Sequence, residues 1–267
     1  MIKEAQMPSR YREVIDKQVE IFKEGSTVQD RTKIPDTKDI PIENPKHWLK
    51  IPDVICLFVD MKGSTKLSAS NHDKSTAAAF QLFTRTAVRL FDKFESPYID
   101  IKGDGVMALF NHDESYKAVV AAITFKTFAK FVYTPTIQIK TGLEIKTHIG
   151  IDQKTVLVRK IGLKKIDGRT DRQNELWAGK PVNMASKLAS LSNGDELMVS
   201  DRFFKNMKSD LVLKSCGCPE GIIESLWEKV DLSQDNKFDF NYAFKCKSHW
   251  CAEHGEEYCE SILKLDS

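Results

Sequence analysis

The stretch Val59-Asp60-Met61-Lys62-Gly63-Ser64-Thr65 (VDMKGST) ends the apolar run Val54-Ile55-Cys56-Leu57-Phe58. Such a run reads as a strand buried on both faces, and it predicts one at about residues 53–60. A carboxylate at the tip of a buried strand is costly unless something pairs with it. Gly63 permits a tight turn, and Thr65 or a nearby serine can cap a following helix. The stretch therefore reads strand, acid, turn, helix start, and the role of Asp60 is the question it poses.

A partner for Asp60 lies downstream. Tyr98-Ile99-Asp100-Ile101-Lys102-Gly103-Asp104-Gly105-Val106-Met107-Ala108-Leu109-Phe110 reads as two strands joined by a Gly-Asp turn, a hairpin with Asp104 at its tip. Between the two motifs, Phe80, Phe83, Ala87, Leu90, Phe91 and Phe94 recur at helical spacing. A second helix is expected from about Asp113 to Tyr133. Two strands are expected at Ile145–Ile151 and Thr155–Ile161, then a polar segment, Lys164–Asn174. A third helix is expected over Pro181–Leu191, with Pro181 tolerated in its first turn. A short strand, Glu196–Ser200, precedes another helix that Asp201 could cap. This order fits an α+β fold of ferredoxin-like type: a mostly antiparallel central sheet with helices packed on it.

Three segments follow from the pattern. Residues 1–50 form a helical and irregular arm, with Tyr11, Val14, Ile15, Val19, Ile21 and Phe22 as apolar points of the helix. Residues 51–210 form the main domain, and residues 211–267 a cysteine-rich extension.

If the hairpin pairs beside the first strand, Asp60 and Asp104 meet at one edge of the sheet. Two carboxylates at one point repel, and one tends to stay protonated. Divalent cations remove that conflict, and Mg²⁺ favours one or two carboxylates together with phosphate oxygens. Gly63, Ser64 and Thr65 supply backbone N–H groups at a helix start, which suits a triphosphate. Together these features imply two-metal phosphoryl transfer on a nucleotide. Taken singly, Asp60 reads as a helix cap and Asp104 as a type I′ turn residue; the spacing of the pair lifts it above those readings.

The chain resembles class III nucleotide cyclase homology domains over about residues 53–208. The resemblance rests on LFVDMKGST, DIKGDGVMALF and Gly179-Lys180-Pro181-Val182-Asn183-Met184-Ala185-Ser186-Lys187-Leu188, which occur in the family's order. It implies that Asp60 and Asp104, with the Met61 carbonyl, hold two metal ions, Mn²⁺ or Mg²⁺. It also implies that Asn183 orients the ribose. Lys187 stands where the family places a transition-state arginine. A lysine is a point charge where arginine is a bidentate fork. Arg159, Lys160, Lys164, Lys165, Arg169 and Arg172 are the alternatives for that task; most of them read as a solvated loop. In the family the metal pair and the Asn/Arg pair come from different subunits. The implied assembly is thus a head-to-tail homodimer with two composite sites.

Base recognition in the purine cyclases falls on positions that here are Asp100 and Leu176. Adenylyl types carry Lys with Asp or Thr there, and guanylyl types Glu with a Cys-like residue. Neither pair is present, and Leu176 offers no hydrogen bond. The adjacent Trp177 reads as a wall of the pocket or as core. Asp100 accepts hydrogen bonds, from uracil N3–H, the cytosine amine or a purine amine alike. VDMKGST, WLKIPDV and VNMASKLAS also resemble the bacterial pyrimidine cyclases of Pycsar antiphage defence. That resemblance implies UTP, or secondarily CTP, as substrate, and 3′,5′-cyclic UMP or CMP as product. The product would act through a separate effector protein. The competing readings are a purine cyclase with a divergent pocket, an inactive cyclase-like binding domain, and a diguanylate-cyclase or polymerase-palm relative. The VNMASK helix speaks against the last.

Composition sets the outer bounds. The net charge of +2 over 267 residues gives no case for nucleic acid or an anionic membrane as partner. No apolar run approaches a membrane span, and the charged N-terminus lacks a signal-peptide core, so a cytoplasmic location is the expectation. Five of the six cysteines fall between Cys216 and Cys259, in Cys216-Gly-Cys218, Cys246-Lys-Ser-His249-Trp-Cys251-Ala-Glu-His254 and Cys259. They suffice for one structural Zn²⁺, although the spacing matches no strong zinc motif; thiols buried under a small appendage are the alternative. Trp227 and Trp250 read as core anchors.

Overall fold

The computed structural model describes residues 8–70, 73–163 and 173–266. The described residues form two compact units. The larger comprises Pro52–Val156 and Gly179–Ser267, and the smaller comprises Met1–Ile51 and Leu157–Ala178.

The elements of the chain are α1 (Ser9–Glu24), β1 (Thr27–Asp30), β2 (His47–Lys62), α2 (Ser64–Ser70), α3 (Asp73–Lys93), β3 (Tyr98–Lys102), β4 (Gly105–Phe110), α4 (Ser115–Phe128), α5 (Thr134–Thr141), β5 (Lys146–Gly162), β6 (Gln173–Gly179), α6 (Lys180–Leu191), β7 (Glu196–Ser200), α7 (Asp201–Phe204), α8 (Asp210–Leu213), β8 (Trp227–Asp231), β9 (Tyr242–Cys246) and α9 (Gly255–Leu263). A π-helical turn, Ala129–Tyr133, joins α4 to α5.

The sheet of the larger unit runs β3-β4-β2-β5-β7-β9-β8. β2 pairs antiparallel with β4, and β3 with β4, as the hairpin reading required. β5 and β7 are parallel, which makes the sheet mixed. Alternation assigns its two faces. Ile55, Leu57, Val59 and Met61 of β2, with Val106, Ala108 and Phe110 of β4, enter the main core under α3 and α4. α3 meets that core through Ala79, Phe83, Ala87 and Phe91, a stripe at four-residue spacing. α4 is apolar nearly all round and accordingly buried, and Phe83 meets Phe125 edge-to-face at 5.2 Å.

Asp60 and Asp100 fall on the opposite face, the one on which α6 packs. Gly150 makes that packing possible. A Cβ there would lie 2.0 Å from the Ala185 carbonyl oxygen and 2.6 Å from the Ala189 nitrogen, both backbone atoms that cannot swing aside. Gly150→Ala is therefore expected to destabilise the protein by about 2–3 kcal/mol, the upper part of the usual cost of overpacking. It should also weaken catalysis by displacing α6; thermal melting and turnover check both.

Three local expectations change. The two strands at 145–161 are one continuous β5. Asp152-Gln153-Lys154 carries no glycine or proline, and its side chains are used in place: Arg202 forks onto buried Asp152, while Gln153 donates to the Asp53 carbonyl at 3.0 Å. The helix expected to end at Tyr133 continues through the π turn into α5, with Pro135 placed just after that turn. The cap of α7 is Ser200, whose hydroxyl accepts from the Phe203 amide; Asp201 is the first helical residue.

Residues 211–267 extend the sheet: β9 pairs antiparallel with β7, and β8 with β9. Trp227 donates from Nε1 to the Val212 carbonyl at 2.7 Å, and Trp250 from Nε1 to Thr124 Oγ1 at 2.9 Å, so both anchor core. In the smaller unit, β1 pairs parallel with the start of β2 and β6 pairs with β5. α1 buries none of its residues; Val14 and Phe22 are 64% and 84% exposed. Among the described residues no helix is long and apolar enough to cross a membrane.

Candidate active site

Asp60 stands one residue beyond the Val59–Val106 pair of β2 and β4. Asp104 stands in the two-residue turn between the Lys102–Gly105 pair of β3 and β4. Gly103 takes φ +66° and Asp104 keeps a negative φ, so the turn is of the II′ kind, with glycine first, rather than I′. The register thus brings the strand tip and the hairpin tip together, close enough for the Asp104 charge to act on Asp60. Asp60 is pushed up to about 6, first by burial and then by the Asp104 charge; the Met61 amide, donating to the same carboxylate, opposes this. Two carboxyl groups held at one edge of the sheet are a donor set that suits a divalent cation.

The Met61 side chain is on the core face, where its Sδ accepts from the Tyr133 hydroxyl at 3.0 Å. Gly63 has φ +99°, and its carbonyl accepts from the Leu67 amide at 3.1 Å, closing the first turn of α2 around Ser64 and Thr65. Beside this turn lies a cavity of about 280 Å³, lined among others by Lys62, Lys66 and Lys146. No sequence motif assigns these lysines a role. Lys62 and Lys66 flank the Gly-Ser-Thr turn directly, a signal that was legible; Lys146, on β5, is brought in only by the fold.

Asp100 is half-buried on β3, ion-paired with Lys102 two residues along the same face, and accepts from the Tyr98 hydroxyl at 3.4 Å. It lies opposite Met107, which lies opposite Phe58, so one row of the sheet leads from Asp100 toward Asp60. In the smaller unit, Leu176 is 44% exposed and Trp177 is buried on β6.

Asn183 and Lys187 lie one turn apart on the exposed side of α6. They line a shallow concavity with Gly179, Lys180, Met184 and Ser186, and no carboxylate of the Asp60–Asp104 pair takes part in it. Lys187 donates to the Lys237 carbonyl at 2.9 Å. α6 is tied down at its start: Lys180 pairs with Asp239 at 2.8 Å, and Asp239 also holds Lys154 and Arg202. These cations keep the Asp239 carboxyl well below its ordinary range despite its burial.

Of the alternatives to Lys187, Arg159 is buried and spent in the smaller unit. Its guanidinium donates to the Pro45 and Lys160 carbonyls and lies over the Trp48 ring. Lys160 faces Glu175 at 3.9 Å. Lys164, Lys165, Arg169 and Arg172 lie outside the described residues.

Known proteins are similar to this chain in sequence and in fold. The sequence model of the adenylate and guanylate cyclase catalytic domain matches residues 49–217. A Propioniciclava tarda protein named uridylate cyclase is 32% identical over 255 residues, covering 93% of this chain and 82% of that protein. A Micromonospora echinofusca protein of the same name is 32% identical over 234 residues, covering 86% of this chain and 75% of that protein. Among solved structures, the adenylyl cyclase CyaB from P. aeruginosa superposes with a TM-score of 0.57 at 18% identity, over 74% of this chain and 95% of that one. The catalytic core of a rhodopsin-guanylyl cyclase with converted specificity gives a TM-score of 0.59 at 17% identity, over 76% of this chain and 98% of that one. These structural likenesses show the fold, and the sequence matches show more: the chain belongs to the family of adenylate and guanylate cyclase catalytic domains and is a nucleotide cyclase.

Proposed function

We propose that the protein is a pyrimidine nucleotide cyclase that converts UTP to 3′,5′-cyclic UMP and pyrophosphate, with CTP as the second choice. The observation that carries this reading is the 32% identity, over nearly the whole chain, to a protein named uridylate cyclase. The absence of either purine-reading pair at Asp100 and Leu176 supports it.

The apposed carboxylates fit a divalent cation pair. Asp60, Asp104 and the Met61 carbonyl would hold two Mn²⁺ or Mg²⁺ ions, which when bound supply Lewis-acid stabilisation of phosphoryl charge and acidify the ribose 3′-hydroxyl. In the reaction the 3′-oxygen bonds to the α-phosphorus, the bond from that phosphorus to pyrophosphate breaks, and the hydroxyl proton leaves to solvent. Asn183 holds the ribose so that this attack is in line. Lys187 exchanges the Lys237 carbonyl for the α-phosphoryl oxygens and neutralises charge that develops there. The amides of Gly63, Ser64 and Thr65, with Lys62, Lys66 and Lys146 beside them, receive the β- and γ-phosphates. Asp100 accepts from the edge of the base.

The separation of the α6 pair from the carboxylate pair within one chain supports a head-to-tail homodimer with two composite sites. The cyclic product would act on a separate effector protein, in antiphage defence, as the resemblance implies. Incubation with each of the four NTPs and Mn²⁺, followed by mass spectrometry, tests the substrate. Cyclic UMP or CMP as the dominant product is expected. Dominant cyclic AMP or GMP overturns the base assignment, and no turnover of any NTP overturns the enzyme.

A further inference from the structure

A second group of ligand-type side chains converges away from the cyclase site. Cys216 and Cys218 lie in the turn after α8, and Cys251 and His254 in the segment leading into α9. One ligand atom from each lies within 4.8 Å of all the others. Cys218 Sγ is 3.1 Å from His254 Nδ1. A tetrahedral Zn²⁺, with Zn–S about 2.3 Å and Zn–N about 2.0 Å, sets ligand separations of about 3.5–3.8 Å, so the four atoms need close by only about an ångström.

The local backbone is shaped for this. Gly217 takes φ +89° between the two cysteines of Cys-Gly-Cys, a conformation that a side chain would resist. The Gly255 amide donates to the Cys251 carbonyl at 2.8 Å, closing the turn that carries Cys251 and His254 into α9. Burial argues the same way. Cys218 is exposed, Cys216 and Cys251 are half-exposed, and no pair is disulfide-bonded. Thiols used for packing are inside, as Cys56 and Cys246 are. His249 stays outside the quartet, with its ring edge-on to Phe131 at 5.4 Å.

We infer that Cys216, Cys218, Cys251 and His254 form a structural Cys₃His zinc site that pins the turn after α8 to the start of α9. Four protein ligands leave no open position, so the ion is a clamp and not a catalyst. Binding free energy at such a site is folding free energy for the segments it joins. The site stands independently of the cyclase reading.

The full-length protein, produced with zinc supplementation and purified without chelator, is expected to carry about one zinc per chain by elemental analysis. Cys218→Ser and His254→Ala are expected to lose it, while Cys56→Ser and Cys259→Ser keep it. Should the quartet variants fail to fold, the wild-type protein still decides. Mercurial modification of its thiols should release the zinc to a colorimetric chelator. Reconstitution with Co²⁺ should give the visible bands of a tetrahedral thiolate site. Wild-type protein with less than about a tenth of an equivalent, and no uptake of zinc or cobalt under reducing conditions, overturns the inference. So does undiminished zinc in folded Cys218→Ser and His254→Ala.

Discussion

Asp60→Asn and Asp104→Asn are each expected to lower turnover by at least about a thousandfold with Mg²⁺ or Mn²⁺, because loss of a direct metal ligand should cost more than the 10–100-fold typical of outer-shell partners. Stability should move the other way. Asp60 is taken out of water beside Asp104, and its carboxyl is pushed up to about 6 from an ordinary 3.8. A raised carboxyl favours the folded state while protonated, so this contribution is complete below about pH 4 and is lost as pH rises through about 6. Above that, metal-free wild-type protein carries the repulsion that Asp60→Asn lacks. The variant should then be more stable by about 1–2 kcal/mol, after allowance for solvent screening, with the gap closing toward pH 4. Added Mn²⁺ should raise the melting temperature of the wild type and leave the variant's nearly unchanged. Melting curves across that pH range, with and without metal, read out every part. A variant less stable than wild type at pH 7.5, or full activity in both variants, contradicts the assignment.

Lys187→Ala is the second large effect. A single donor to developing charge is worth about 10²–10³ in kcat, and Lys187→Ala should fall in that range with a smaller change in KM. Asn183→Ala should lose a similar factor through misplaced attack geometry. Both residues are exposed on α6, and Lys187 gives up one hydrogen bond, to the Lys237 carbonyl, so folding should change little. Melting temperatures within a few degrees of wild type, alongside the kinetic loss, check that the defect is chemical.

The parts legible in the sequence are those whose signal is local. The apolar run before Asp60, the Gly-Asp turn and the four-residue stripe of α3 each carry their own periodicity or turn chemistry. The meeting of Asp60 with Asp104 could be anticipated because a hairpin has one tip, and the antiparallel β2–β4 register then fixes which strand residue faces it. What escaped is what depends on distant partners. Asp152 falls in the gap expected between two strands and is instead buried under Arg202 within one continuous β5. Lys146 joins Lys62 and Lys66 only through the fold. The Cys-Gly-Cys and Cys-Ala-Glu-His pieces say little apart, being separated by β8 and β9; strand pairing along the sheet is what sets them face to face.

Mixing two dead variants is the decisive measurement for the composite site. Each site should take its carboxylates from one copy and its Asn183 and Lys187 from the other. A heterodimer of Asp104→Asn with Lys187→Ala then holds one intact site and one doubly defective site. If subunits exchange freely in an equimolar mixture, half the dimers are mixed and activity should recover to about a quarter of wild type. Native mass spectrometry of the same mixture verifies that mixed dimers are present. Recovery toward that level is the expected result. Mixed dimers with no more activity than either variant alone would rule out a site shared between two copies.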